Sequence, residues 1–222
     1  MSYIRLEQDA DGIVDLIFDQ EGKAVNVMGA EYAEAMPAAL DQLEAMGDEL
    51  KGLYIRSGKP GQFFAGGDIS MMLEMDLNPS QEAREQMYRD LLAAKAPLAR
   101  IERLGVPVAV GINGPALGGG YEIALACHHR IALDSPKVKI GLPEAMLGLL
   151  PGAGGIVRMV RMLGMQEALT LISQGKQLVA TKALEKGLVH ELAADEEEMA
   201  AMARAWIKAN PEAKQPWEQP GY

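Results

Sequence analysis

A single cysteine, Cys127, stands in a chain of 222 residues. No internal disulfide can form, and an intracellular, cytoplasmic setting is the simplest reading. The histidines fall in no zinc-type spacing. His128 and His129 are adjacent and His190 is distant; surface or helix-end positions are expected for them, and no metal site. Positive charge is also scarce. Lys and Arg total 21 against 31 Asp and Glu, a net charge of −10. That argues against a general nucleic-acid binder, which needs a basic stripe. An anionic small ligand stays compatible, because backbone N–H groups and local charge can oppose the overall field. Long apolar runs are missing too. Gly, Pro or charge interrupts each one, so no membrane span is expected. The start, MSYIRLEQDADG, carries acids and no apolar stretch of the secretory kind. There is no repeat and no low-complexity tract.

What is present is the composition of a globular domain: 49% apolar and 23% charged residues. Residues 3–8 and 13–18 alternate apolar and polar around Asp11-Gly12, which predicts a hairpin. Residues 29–46 carry Ala, Met and Leu at helical spacing, with Pro37 as an expected kink or boundary. A strand is expected at 50–56 and a long amphipathic helix at 81–104, with Pro97 as a second expected kink. VPVAVGI, 106–112, is nearly all apolar and β-branched, as a strand covered on both faces would be. Shorter strands are expected at 129–134 and 137–142, and helices at 154–163, 165–174 and 180–186. VHELAADEEEMAAMARAWIKAN, 189–210, reads as a strand and then a helix whose acids start it and whose bases end it. Strands alternating with helices give an α/β class with parallel pairing. The last stretch, 211–222, holds prolines and no periodicity, and reads as a linker-like tail or loose terminus.

Three stretches carry chemistry. GINGPALGGGYEIALAC, 111–127, runs from a strand through a glycine turn into an apolar helix, with Glu122 in its first turn. It matches neither G-x-G-x-x-G nor G-x-x-x-x-G-K-[ST]. The glycines still let a ligand approach the backbone, and first-turn N–H groups have no intrahelical partner. Such donors can hold a developing negative charge. Glu122 beside them is either a first-turn acid serving its own helix or a reactive carboxylate. In GLPEAMLGLLPGAGG, 141–155, Glu144 lies between Pro143 and an apolar segment. It is either exposed in a loop or held in an apolar wall, where burial would raise its pKa toward neutrality. The run 151–155 then opens another helix with free N–H groups. In QFFAGGDISMM, 62–72, Gly66 and Gly67 again expose N–H groups, and Asp68 could be an ordinary N-cap.

Taken together and in this order, FFAGGDISMM, INGPALGGGYEIALACHHRIA, GLPEAMLGLLPGAGG and GKQLVATKALEKGLVHEL resemble the enoyl-CoA hydratase/isomerase family, the crotonase fold. The resemblance implies a spiral of ββα units over residues 1–195, the start of a C-terminal helical region at 196–210, and a tail at 211–222 leading toward a missing C-terminal part. It implies an oxyanion hole from the N–H groups of Gly67 and Gly119, and two acid/base glutamates, Glu122 and Glu144. CoA would lie along Ala65, Gly66, Gly67, Asp68 and Ile69, with Lys23 near its phosphates.

The implied activity is hydration of 2-enoyl-CoA in β-oxidation, with acyl-CoA as substrate and no cofactor. Shift of a Δ3 double bond to Δ2, or another crotonase-type reaction, is the alternative; a non-catalytic acyl-CoA-binding or assembly module is another. The chain looks most like the N-terminal hydratase part of a multifunctional fatty-acid oxidation enzyme. There, NAD would serve only a dehydrogenase that follows on the same chain. A homotrimer, or association with other β-oxidation subunits, is implied as partner. Acyl chain-length preference is expected to depend on Met71, Met72, Met146 and the 73–95 region.

Overall fold

The computed structural model describes residues 3–68 and 78–222. In chain order its elements are β1 (Ile4–Gln8), β2 (Ile13–Phe18), α1 (Ala30–Ala45), β3 (Gly52–Ser57), α2 (Gln81–Glu102), β4 (Val108–Ile112), β5 (Ala116–Leu117) and α3 (Gly119–Ala126). They continue as β6 (His129–Leu133), β7 (Lys139–Gly141), α4 (Gly155–Leu163), α5 (Met165–Ser173), β8 (Leu178–Val179), α6 (Ala180–Glu185), β9 (Glu191–Ala193) and α7 (Glu196–Ala209). The main sheet runs β1-β2-β3-β4-β6-β9. The β1–β2 hairpin is antiparallel, with Ile4 opposite Phe18, and all later pairs in this sheet are parallel. Gly12 turns the hairpin at φ 79°, a left-handed conformation that glycine adopts without strain. A smaller sheet, β5-β7-β8, stands apart.

Period-two alternation divides the main sheet between two cores. Leu53, Ile55, Val108, Val110 and Ile112 face the large core, which also takes in α1 and α3. Tyr54, Ala109 and Ile131 face the other side, where Met199, Ala203 and Ile207 of α7 cover them. Glycines set how closely α7 approaches. A Cβ on Gly52 would stand 2.3 Å from Ile207 Cγ2, and one on Gly111 would stand 2.9 Å from Met199 Cε. Helix α3 is buried at all eight positions, as expected of a helix apolar all round.

The predicted elements appear close to their expected places, with three differences. Pro37, expected as a kink or a boundary, lies inside α1 and does not bound it, while Pro97, expected as a kink, lies inside α2. A mid-helix proline costs about 3 kcal/mol. In α1, burial of Tyr32, Met36, Leu40 and Leu43 offsets that, since packing of a helix face outweighs propensity. Second, the tail is not loose. Gln215 is buried, and its Nε2 donates to the carbonyls of Ala126 and Cys127 at 3.1 and 3.2 Å. Trp217 Nε1 donates to Glu102 Oε1 at 3.0 Å, and Tyr222 Oη to the Arg161 carbonyl at 2.8 Å. Third, the histidines are not all at the surface. His129 is buried, its ring stacked between His190 and Trp206 at 4.7 and 4.5 Å, while Glu191 Oε1 lies 2.6 Å from its Nε2. Among the described residues no helix is long and apolar enough to cross a membrane.

Gly120 is where α3 meets the segment after β3. A Cβ there would lie 2.3 Å from the Phe64 carbonyl oxygen and 2.8 Å from Phe64 Cβ, and backbone cannot step aside cheaply. Gly120→Ala should therefore lower stability by about 2 kcal/mol or more, read as a fall in the urea midpoint. An unchanged midpoint would show that the two segments are less closely packed.

Candidate active site

The carboxyl ends of β3 and β4 open into the two glycine turns. Asn26, fully buried, ties the first turn in place. Its Nδ2 donates to the carbonyls of Phe18 and Phe63 and to Ser57 Oγ, its Oδ1 accepts from Gln20 N, and its own carbonyl accepts from Ala65 N. Single parallel bridges then join Met28 to Gly67 and Phe64 to Ala116. Gly66 adopts φ 103° and Gly118 φ 52°, both left-handed and both suited to glycine alone. The two turns touch: a Cβ on Gly119 would lie 3.8 Å from the Gly66 carbonyl carbon. Among the described residues, neither the Gly67 nor the Gly119 N–H donates to a backbone carbonyl. Two free donors thus stand on adjoining turns.

Glu122 follows one turn into α3, its N–H donating to the Gly118 carbonyl at 2.9 Å. Its side chain, 2% exposed, does not cap its own helix. Oε1 accepts from Ala153 N at 2.8 Å and Gly155 N at 2.7 Å. Burial raises its pKa above the usual carboxylate range. The two N–H bonds, and the charges of Arg158 and Lys95, oppose that rise. Gly155 must be small, because a Cβ there would lie 2.9 Å from Glu122 Oε1.

Glu144 opens a short 3₁₀ turn, Glu144–Leu147. Of the two readings left open by the sequence, the structure shows something between: Glu144 is half-buried, and Met146, Leu147 and Leu149 beside it are exposed. Oε2 is buried and has no hydrogen-bond partner. Burial pushes its pKa up to about 7; a backbone hydrogen bond opposes this and the charge of Glu122 adds to it. The side chain leans over the glycine run, since a Cβ on Gly118 would lie 2.8 Å from Glu144 Oε1. Both glutamates therefore flank the same turn, close enough for the charge of Glu122 to add to the rise at Glu144.

The remaining expected positions are less enclosed. Ala65 is exposed, Gly66 buried, and Gly67 and Asp68 half-buried, while Lys23 is exposed in the loop between β2 and α1. Ile69, Met71 and Met72 lie outside the described residues, and Met146 is exposed. Cavities of about 410 Å³ beside Asp15 and Arg204, and about 380 Å³ beside Glu31 and Glu34, lie away from both glutamates. Among the described residues no cluster of ligands for a metal ion occurs. Sequence reasoning missed Asn26, a polar residue in an apolar stretch with no further signal. It also missed that the free N–H groups of the 151–155 run serve Glu122, although it had singled out that run as a helix start.

The comparisons follow the same stretches. Residues 9–215 match the model of the enoyl-CoA hydratase/isomerase family. The chain belongs to that family. It is 41% identical over 189 residues to the fatty acid oxidation complex subunit alpha of Idiomarina loihiensis, which covers 84% of this chain and 25% of that protein. It thus spans about a quarter of that relative's length. Crystal structures of enoyl-CoA hydratases from Geobacillus kaustophilus and Bacillus anthracis superpose with TM-scores of 0.82 and 0.81, each at 28% identity. They cover 95% and 93% of this chain, and 75% and 76% of their own chains. The crotonase fold implied by the motifs is the fold observed.

The raised pKa of Glu144 makes a statement about stability. Its proton is held more tightly in the folded chain (about 7) than at the ordinary value of 4.5. The contribution of this group is therefore complete below pH 4.5 and lost as pH rises through 7. Glu144→Gln should raise the melting temperature at pH 8, with the gain shrinking to nothing near pH 4.5. Thermal melts of both proteins across that range check it; no gain at pH 8 would mean that the carboxyl ionises freely.

Proposed function

We propose that this chain adds water across the double bond of 2-enoyl-CoA thioesters. The observation that carries the reading is the buried Glu122 and the half-buried Glu144, on either side of a glycine turn with free N–H donors. In the proposed reaction Glu122, ionised, takes a proton from water as the water oxygen bonds to the β-carbon. Electron density moves to the thioester oxygen, where the Gly67 and Gly119 N–H groups hold it. Glu144, protonated, then gives its proton to the α-carbon, and the enolate collapses to 3-hydroxyacyl-CoA. One proton taken and one given leaves net addition of water. A proton exchanged between the two carboxyls, directly or through solvent, resets the site. No cofactor enters this scheme. The backbone of Ala65, Gly66, Gly67, Asp68 and Ile69 would line CoA, with Lys23 offering charge to its phosphates.

The similarity to a fatty acid oxidation complex subunit supports a place in β-oxidation, within a larger chain or alongside other subunits of that pathway, in the cytoplasm; a homotrimer is the alternative assembly. A second reading rests on Glu144 by itself. A lone carboxyl that titrates near neutrality can carry a proton between two carbons, which is what a Δ3-to-Δ2 double-bond shift requires.

Turnover of a short 2-enoyl-CoA, followed as loss of the conjugated thioester absorbance, tests the proposal. Glu122→Gln and Glu144→Gln should each lower kcat by about a thousandfold, with 3-hydroxyacyl-CoA as the wild-type product. A loss below tenfold would remove the role assigned to that residue. Conversion of a 3-enoyl-CoA that survives in Glu122→Gln would favour the double-bond shift, and tight acyl-CoA binding without any turnover a non-catalytic module.

A further inference from the structure

The loop that holds Glu122 is itself held from behind, by groups that take no part in the proposed reaction. Ala153 is used at both ends. Its N–H binds Glu122, and its carbonyl accepts from Arg158 Nη1 at 3.1 Å. Arg158 is 7% exposed, and its Nη2 donates to Glu102 Oε2 at 2.7 Å. Glu102, at the end of α2 and 8% exposed, uses its other oxygen to accept from Trp217 Nε1. Trp217 stands in the tail, which Gln215 anchors on the C-terminal carbonyls of α3, the helix that carries Glu122. The chain of contacts thus starts on α3, runs through the tail, and returns to the carboxylate of α3. The family match ends at residue 215, so Trp217 lies just beyond it.

We propose that Trp217 and Arg158 are positioning residues of this site: through Glu102 they fix the Ala153 carbonyl, and with it the two N–H groups that hold the Glu122 carboxylate. Neither touches the reacting atoms. A buried carboxylate such as Glu102 needs both of its donors. Without the indole N–H it turns, and its hold on the guanidinium slackens. The Ala153–Gly155 turn then loosens, and Glu122 loses donors that stabilise its ionised form. Other charged and titratable groups facing Glu122 are Glu144 after β7, Lys95 on α2 and Tyr32 on α1. None of these is altered by changes at Trp217, so a shift seen there belongs to the support.

The catalytic consequence rests on the hydration reading; the physical test does not. It is a ¹³C titration of the glutamate carboxylates in this chain, with the Glu122 signal identified by its loss in Glu122→Gln. Trp217→Phe keeps the ring and deletes the donor; Arg158→Lys keeps the charge and deletes the fork. Each should raise the Glu122 midpoint by about half a unit or more. Arg161→Ala, which removes only the cation over the Trp217 ring at 5.5 Å, should leave it in place. An unchanged midpoint in folded Trp217→Phe overturns the proposal, and that variant decides alone where Arg158→Lys does not fold. In turnover, Trp217→Phe should lower kcat about tenfold with KM within twofold, and move the acid limb of the pH profile upward. A fall in melting temperature with kcat and acid limb intact would mark Trp217 as structural only. Failure of the hydration reading shows differently, as no 3-hydroxyacyl-CoA from the wild-type chain whatever the titration gives.

Discussion

Two backbone N–H groups on one oxygen make a carboxylate tolerable in the middle of this core. Taking an ion such as Glu122 out of water costs several kcal/mol. A hydrogen bond to a charged group contributes roughly 1.5–3 kcal/mol, so the pair from Ala153 and Gly155, at 2.8 and 2.7 Å, offsets much of that. Both donors belong to the first turn of α4 or the residues just before it, where N–H groups have no helical partner and the dipole is positive. The arrangement fixes the rest. Position 155 must be glycine to let the carboxylate in. Residue 153 must keep its carbonyl turned away, which is where Arg158 finds it. And because both bonds fall on Oε1, Oε2 is left, on the proposed reading, for the attacking water.

The same reasoning separates the two glutamates. Burial raises the pKa of both, but Glu122 has two N–H donors from another segment on its Oε1, whereas at Glu144 one backbone hydrogen bond of its own residue opposes the rise. Glu144 Oε2 is buried with no partner. Carboxyls that neighbour one another and are treated unequally divide naturally into a base and an acid. On the proposed reading Glu122 is the ionised member and Glu144 the one that carries a proton near neutrality, an assignment that follows from their surroundings and needs no difference in residue type. The glycines beneath serve as spacers here as well. A side chain at Gly118 would collide with Glu144, and one at Gly119 would crowd Met28.

Much of this was legible in the sequence, and what was not shares a cause. Asp11-Gly12 marks its hairpin, the β-branched run at 106–112 its buried strand, and the glycine run its turn, because each is encoded by residues next to one another. The order of the motifs led to the right family and fold. The tail was read as loose because its contacts are not local. Trp217 meets a partner 115 positions earlier, and Gln215 one 88 positions earlier, through single polar side chains that leave no periodicity. His129 was placed at the surface for the same reason, since its stacking on Trp206 is visible only once α7 lies against β6. Asn26 shows the limit most plainly. One amide pairs with four backbone and side-chain groups, yet in the sequence it is one polar residue among valines.

The acidity of the chain bears on how an anionic substrate would be met. With a net charge of −10, long-range attraction does not favour a ligand carrying phosphates. The buried cation nearest the site is already committed: Arg158 is spent on Glu102 and the Ala153 carbonyl. What remains for a developing oxyanion is the backbone, through the unengaged N–H groups of Gly67 and Gly119. Backbone dipoles held by a sheet and a helix need no reorganisation when charge appears, and inside a dry site they act at full strength. They are also indifferent to the overall charge of the protein, because their range is a single hydrogen bond. On the proposed reading, a fold that recognises the thioester oxygen in this way can carry an acidic surface, because the turns at Gly66–Gly67 and Gly118–Gly119 supply the donors and the surface does not.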